Sequence, residues 1–275
     1  MEQLDGKVAV VTGAGSGIGR ALVDRFVAEG MRVVGADVEG DALAETAGER
    51  DNVLTFVADV SNADEVAALA EYTYAMLGSC DVLCNNAGVF AGGLMWQRPA
   101  SDFSWTLGVN LWGILNAIHA FVPRMIEAGT PAHIVNTVSM AGLCSNAFSG
   151  PYTVSKFAAL AATEALAHDL AAVGAPIKVS AVVPAAVDTR IAAAGRNRPT
   201  ALSATFTDDA AFVEQALTDL TTSVGAPPSE VAGIIVDAIR TEQFLVPTKP
   251  SYENQLRVRY EALLQKQLPP MPDFD

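Results

Sequence analysis

The chain has 275 residues, 51% of them hydrophobic, and 17 Lys and Arg against 31 Asp and Glu give a formal net charge of −14. A chain this long and this apolar can bury a core, so disorder is excluded and a single domain over 1–275 is expected. Nucleic acid and anionic membrane surfaces are excluded as main partners, because both bind through clustered Lys and Arg and no such cluster occurs.

The start, Met-Glu-Gln-Leu-Asp, is acidic where a secretion signal is basic, and Gly or charge interrupts the apolar runs before the roughly 18 residues of a membrane span. A soluble cytoplasmic protein is expected. Cys80, Cys84 and Cys144 form no CxxC and His119, His133 and His168 no HExxH, so no metal site is expected and the cysteines read as apolar packing groups.

Short β-branched runs alternate with longer Ala- and Leu-rich stretches at helical spacing. This pattern predicts an α/β fold, a doubly wound parallel sheet with helices on both faces. The first strand, 7–11, is apolar throughout, as a sheet covered on both sides requires. It runs into TGAGSGIG and a helix over 17–29. Glycines in such a turn let the backbone approach a pyrophosphate seated on the helix N-terminus, which makes Gly13, Gly15, Ser16, Gly17, Ile18 and Gly19 candidate cofactor residues. The spacing is GxxxGxG rather than GxGxxG, and a Gly-rich first loop also serves tight packing.

The second strand, 31–36, ends at Asp37 and Val38, where a carboxylate takes the adenosine ribose hydroxyls of NAD and repels the 2′-phosphate of NADP. A helix over 39–49 and a strand over 53–58 follow, ending at Asp59 and Val60, which are placed to meet the adenine. After a helix over 62–77, the strand 81–84 ends in Asn85-Asn86-Ala87-Gly88. Open α/β sheets bind ligands at these strand ends, so Asn86, Ala87 and Gly88 join the candidate set.

The helix expected over 103–128, apolar along most of its length, carries Asn110 in Gly108-Val109-Asn110. The strand 132–138 ends at Ser139, and the helix 152–174 opens with Tyr152-Thr-Val-Ser-Lys156. Four-residue spacing puts Tyr152 and Lys156 on one helix face, about 6 Å apart along the axis. Removing a hydride from an alcohol needs a base for the hydroxyl proton. Tyrosine, with a pKa of ~10, needs roughly 4 kcal/mol of preferential phenolate stabilisation to serve near pH ~7. A Lys ammonium ~4 Å away supplies about that much at an effective dielectric of ~20, and a nicotinamide cation adds to it. Ser139 can hydrogen-bond the substrate oxygen, and Asn110 can anchor a relaying water.

Residues 109–123 and 157–172, within the helices expected over 103–128 and 152–174, are apolar nearly all round. Either they are deeply internal, or their outer faces form a subunit interface. A strand at 177–183 leads to an irregular segment over about 190–208, either a lid or a linker. Helices over 208–222 and 228–241, a strand over 244–246 and a helix over 250–267 complete the reading. Phe90, Met95, Trp96, Ala141, Leu143, Phe148 and Ile191 form the expected apolar substrate pocket, although several could instead be core.

TGAGSGIG (12–19), DV (59–60), NNAG (85–88), Asn110, Ser139, YTVSK (152–156) and PAAVDT (184–189) resemble the short-chain dehydrogenase/reductase family in order and spacing, over about 5–190. The resemblance implies a seven-stranded Rossmann-type sheet, a catalytic tetrad of Asn110, Ser139, Tyr152 and Lys156, and NAD as cofactor. It further implies that Lys156 holds the nicotinamide ribose, that Pro184, Val187 and Thr189 meet the nicotinamide end, and that the protein is a homotetramer or dimer through the two apolar helices. By it, 1–190 is the cofactor-binding and catalytic core, 190–228 a substrate loop and 249–275 a C-terminal extension. The family usually has Pro-Gly where this chain has Pro184-Ala185, which sets a Cβ beside the cofactor. Segments 108–136 and 246–264 are also similar to bacterial enzymes that oxidise benzylic alcohols of lignin-type aryl ethers. The expected activity is NAD-dependent interconversion of a bulky apolar or aromatic secondary alcohol and its ketone. The alternatives are an NADPH-dependent biosynthetic ketone reductase and a non-catalytic dinucleotide sensor.

Overall fold

A computed structural model describes residues 1–203 and 206–272. Ala204 and Thr205 of the expected lid, and 273–275 of the expected extension, lie outside the described residues. Seven strands, β1 (Val8–Thr12), β2 (Arg32–Asp37), β3 (Val53–Val57), β4 (Val82–Asn85), β5 (Ala132–Thr137), β6 (Ile177–Val183) and β7 (Leu245–Pro247), form one parallel sheet in the order β3-β2-β1-β4-β5-β6-β7. The order reverses between β1 and β4. This is the point at which an open α/β sheet leaves a crevice at its carboxyl edge.

Alternate residues of each strand enter opposite cores. Ala9, Val11, Val33, Cys84 and Val182 pack under α1 (Gly17–Ala28) and α8 (Pro228–Thr241), through Leu22, Phe26, Ile235 and Ile239. Val10, Val34, Leu83 and Ile134 pack on the other face. They meet α3 (Ala63–Leu77), α5 (Gly113–Ala128) and α6 (Gly150–Ala172) through Leu69, Phe121, Met125 and Leu170. A short α2 (Gly40–Ala47) joins β2 to β3, and α4 (Ala100–Leu107) precedes α5. The C-terminal part adds α7 (Asp208–Val224) and α9 (Tyr252–Leu264).

The single helix expected over 103–128 is broken by a π-turn over Gly108–Trp112. Such a turn inserts one residue into the helical repeat and recurs at functional sites. Here it lets the helix pass close to the end of β3, because a Cβ on Gly113 would meet Val60 Cγ2 at 2.7 Å. The whole stretch 100–128 stays helical and, contrary to the reading of interrupted apolar runs, is long and apolar enough to cross a membrane by length and composition. In the fold it packs on α3 and α6.

Candidate active site

The carboxyl ends of the strands open into a cavity of about 760 Å3. Its floor is tied together by the sequence of β1 and β4. Thr12 Oγ1 accepts the N–H groups of Asn86 (3.0 Å) and Ala87 (3.2 Å), and the Asn86 amide donates to Thr12 O at 3.1 Å and accepts from Thr137 Oγ1 at 3.3 Å. Gly13 has φ 68°, and a Cβ there would meet Ala87 Cα at 2.8 Å. Gly19 packs against the Gly13 carbonyl, closer than any Cβ would allow. These glycines bring the first turn down onto β4 and leave its far side to the cavity.

Asp37 ends β2 and faces the same cavity. Its Oδ2 accepts Gly15 N–H at 2.8 Å and its Oδ1 accepts Glu39 N–H at 3.0 Å, so each oxygen keeps a lone pair for a further hydroxyl donor. Nearby cations are committed elsewhere. Arg20 bonds the carbonyls of Gly15 and Ala42, and Arg196 pairs with Glu39. With Ser16, Gly17, Ile18, Val38, Asp59, Val60 and Gly88 also at the cavity wall, the residues present fit an adenine dinucleotide. Gly15 and Gly19 support this wall from behind.

At the other end of the cavity, Ser139 follows β5 and accepts Ala141 N–H at 3.1 Å through Oγ. Tyr152 lies in the first turn of α6, where Pro151 suits the helix start, and its ring packs 5.1 Å from that of Phe90. Lys156, one turn on, is buried. Its Nζ donates to Thr137 O at 2.8 Å and lies 5.7 Å from the Tyr152 ring centre. Burial pushes the Lys156 pKa down to about 7. Burial also raises that of Tyr152, against an opposing hydrogen bond with Ser139. The expected mutual ion stabilisation is therefore not the leading influence on either group in the protein alone; desolvation is.

Asn110 sits in the π-turn. Its Oδ1 accepts Val89 N–H at 2.8 Å, and its Nδ2 donates to Val89 O and to Ser155 Oγ, both at 2.9 Å. Both amide hydrogens are thus used within the protein. The side chain staples the loop after β4 to α6, beside Lys156, while its Oδ1 keeps one further lone pair.

Pro184, Ala185, Val187 and Thr189 line the cavity after β6. Ala185 is not among the described non-glycine residues with positive φ, so its Cβ needs no special backbone, and its N–H donates to Thr248 Oγ1 at 3.0 Å. Of the expected substrate residues, Phe90, Ala141, Phe148 and Ile191 line the cavity. Leu143 does not: it is buried with Cys144 and Val183 under α9, because the 3₁₀ turn after Ser139 directs it into that core. Met95 and Trp96 are also off the cavity wall. Their short 3₁₀ turn leaves Trp96 80% exposed and sets the Met95 sulfur against Gly150.

The segment after β6 is tied at two places that sequence reading missed. Arg190 and Arg196 pair with Glu39, and Arg198 pairs with Asp102 at 2.6 Å while stacking on Trp105. Arg98, almost fully buried, bridges Asp102 and Asp209. The signal lay in Arg190, Arg196 and Arg198, whose acidic partners stand more than ninety positions away in sequence. Among the described residues there is no cluster of three potential metal ligands, and the three cysteines are unpaired and buried.

A family model described as short chain dehydrogenase matches residues 7–199. The chain belongs to this short-chain dehydrogenase family. It is 35% identical over 274 residues to the 1-deoxy-11-beta-hydroxypentalenate dehydrogenase of Streptomyces exfoliatus, covering 97% of this chain and 92% of that one. It is 30% identical over 276 residues to the C alpha-dehydrogenase of Sphingobium sp. (strain NBRC 103272 / SYK-6), covering 98% and 89%. A short-chain dehydrogenase/reductase from Burkholderia phymatum, in a crystal structure in complex with NAD, superposes with a TM-score of 0.96 at 39% identity over 99% of both chains. The short-chain dehydrogenase fold, its Rossmann-type sheet and its oxidoreductase class are thus those of this protein.

Proposed function

We propose that this short-chain dehydrogenase is NAD-dependent and interconverts a bulky apolar or aromatic secondary alcohol and its ketone. The observation that carries the reading is that Ser139, Tyr152 and Lys156 share one cavity with the Asp37 carboxylate. A carboxylate with spare lone pairs suits two ribose hydroxyls and repels a phosphate, which favours NAD over NADP. The similarity to a Burkholderia protein in complex with NAD supports the same choice.

In the oxidative direction, Ser139 Oγ orients the substrate hydroxyl and Tyr152 Oη takes its proton as the carbinol carbon gives up hydride. When bound, the nicotinamide supplies the hydride acceptor and a positive ring charge. Lys156, held by Thr137 O, is placed to bind ribose hydroxyls and to favour the phenolate once protonated. Val187 and Thr189, at the cavity wall after β6, would hold the carboxamide end. Asn110 fixes the Val89 loop and Ser155, and so positions Lys156. The balance is alcohol plus NAD⁺ to ketone, NADH and one proton.

The apolar wall around Phe90, Phe148 and Ile191 favours shape selection over charge selection. One curated relative is named for a hydroxypentalenate and another for a C alpha position, which supports a substrate larger than a simple alkanol. Absorbance at 340 nm, followed as the purified protein meets NAD⁺ or NADP⁺ with benzylic, terpene, steroid and aliphatic alcohols, tests the reading. Reduction of NAD⁺ with the bulky alcohols is expected, and no reduction with any of them overturns it.

The same reading includes a homo-oligomer, dimer or tetramer, through α4, α5 and α6. Trp112 in the π-turn, Ile126 on α5 and Val154 on α6 are apolar and exposed, which supports a partner there. Light scattering after size exclusion at micromolar concentration decides it, and a monomer sinks it.

A further inference from the structure

Helix α7 is amphipathic, yet among its residues only Thr221 is fully buried. Its apolar residues Phe212, Val213, Ala216, Leu217 and Leu220 all line the cavity instead. Spacings of three and four place them on one stripe, which in a surface helix normally faces a protein core. Here the stripe faces the cavity that Tyr152 also lines.

The C-terminal arm comes to the same space. Helix α9 ends with Lys266 in the left-handed region at φ 61°, its N–H bonded to Leu263 O and that of Gln267 to Ala262 O. This paired 5→2 and 6→1 arrangement reverses the chain. Leu268-Pro269-Pro270-Met271-Pro272 follows, and Met271 and Pro272 line the cavity. Three prolines in four residues fix φ, and a residue before proline is held extended, so the arm is stiff and loses little entropy when it packs on a ligand. Met271 stands between two of these prolines and is 66% exposed.

We infer that this arm is a wall of the substrate pocket, and that Met271 is a specificity-determining residue reading the apolar body of a bulky secondary alcohol against the α7 stripe. The side chains on both surfaces are mainly apolar, so together they select bulk and shape. The thioether adapts to irregular outlines, which suits a wall that closes on several related skeletons. The inference rests on the dehydrogenase reading above for the reacting carbinol, but the contact itself does not depend on turnover.

The test uses full-length protein labelled with [methyl-¹³C]methionine, with the Met271 resonance assigned by its loss in Met271→Ala. Adding 1-(2-naphthyl)ethanol in the presence of NADH is expected to shift that resonance. In steady-state assays, Met271→Ala is expected to lower the ratio of kcat/KM for this alcohol over that for propan-2-ol at least fivefold, and Met271→Leu is expected to restore it. An unmoved resonance, or an unchanged ratio in Met271→Ala, overturns the inference. If the resonance shifts while no alcohol reduces NAD⁺, the wall stands and the dehydrogenase reading fails.

Discussion

Glu39 and Arg196, 157 positions apart in the chain, meet in a two-point ion pair, Nε to Oε1 and Nη2 to Oε2, each at 2.9 Å. Arg190 adds a third contact to the same carboxylate at 3.3 Å. All three residues border the cavity, so the pair joins the loop after β2 to the segment after β6 across the proposed cofactor cleft.

Opening this pair is therefore expected to accompany cofactor release. Glu39→Gln should speed NADH dissociation about fivefold in stopped-flow fluorescence, the effect of a partly exposed pair worth about 1 kcal/mol. Raising salt should speed the parent toward the variant, because exposed charges are screened. The hydrogen bond from Arg196 holds the Glu39 carboxyl below its ordinary pKa of 4.5. The contribution is thus complete above pH 4.5 and is lost as pH falls through the lowered value. A release rate indifferent to both mutation and salt refutes the latch.

Tyr152→Phe removes the proton acceptor and keeps the ring that packs on Phe90. Turnover should fall by about 10²–10⁴, the range for loss of a general acid–base group. The dissociation constant for NADH should stay within about twofold, because phenylalanine fills the same space. Parent-like turnover in the variant would falsify the role given to the phenol.

Asp37→Ser withdraws the carboxylate but leaves the Gly15 N–H a possible acceptor. Charge-assisted hydrogen bonds are worth about 1.5–3 kcal/mol, so kcat/KM for NAD⁺ should drop roughly 10- to 100-fold. Activity with NADP⁺ should rise, since the repulsion is gone. Cofactor preference measured with one substrate reads both effects together.

Lys156 has the opposite sign from a surface lysine. Burial lowers its pKa from 10.5 to about 7, so between these values the unfolded chain binds more protons than the folded one. Stability from this group therefore rises with pH from about 7 to 10.5, and the burial cost is fully felt below pH 7. Lys156→Met abolishes that slope. The difference in Tm, variant minus parent, should be largest near pH 7 and shrink toward pH 10, while turnover is lost. A pH-independent difference contradicts the assignment of the shift to burial.

Much of this was legible in the residues themselves. Each strand run and most helix runs carried its own periodicity, and β6 (Ile177–Val183) and α8 (Pro228–Thr241) fall where the pattern put them. Strands β1 and β4 run one residue further than their apolar runs, because Thr12 and Asn85 continue the strand although they are polar. The π-turn at Gly108–Trp112 left no trace in the 3.6-residue pattern, since one inserted residue is invisible in a stretch apolar all round. The residues facing the proposed dinucleotide were readable because glycine and aspartate at strand ends serve a local geometry. Met95, Trp96 and Leu143 were misplaced for the converse reason. Whether an apolar side chain in a short turn faces a cavity, a core or water depends on contacts from remote segments, here Gly150 for Met95 and α9 for Leu143. The Arg98, Asp102 and Arg198 network was hidden in the same way.

The parallel sheet gathers the reacting groups at one rim, and a different set of polar contacts stands toward its other rim. There Lys7 pairs with Asp81 at 3.0 Å, His133 meets Ser180 at 2.8 Å with its pKa lowered to about 4 by burial, and the chain's first ammonium group rests on Ile239 O at 3.2 Å. The longer strands, β1, β2, β3, β5 and β6, have five to seven residues at about 3.3 Å each and hold the two rims roughly 17–23 Å apart. Resistance to acid and heat can therefore be tuned at one rim without touching substrate choice at the other. A lineage built on this scaffold can adapt to a new temperature and to a new alcohol by separate, additive steps.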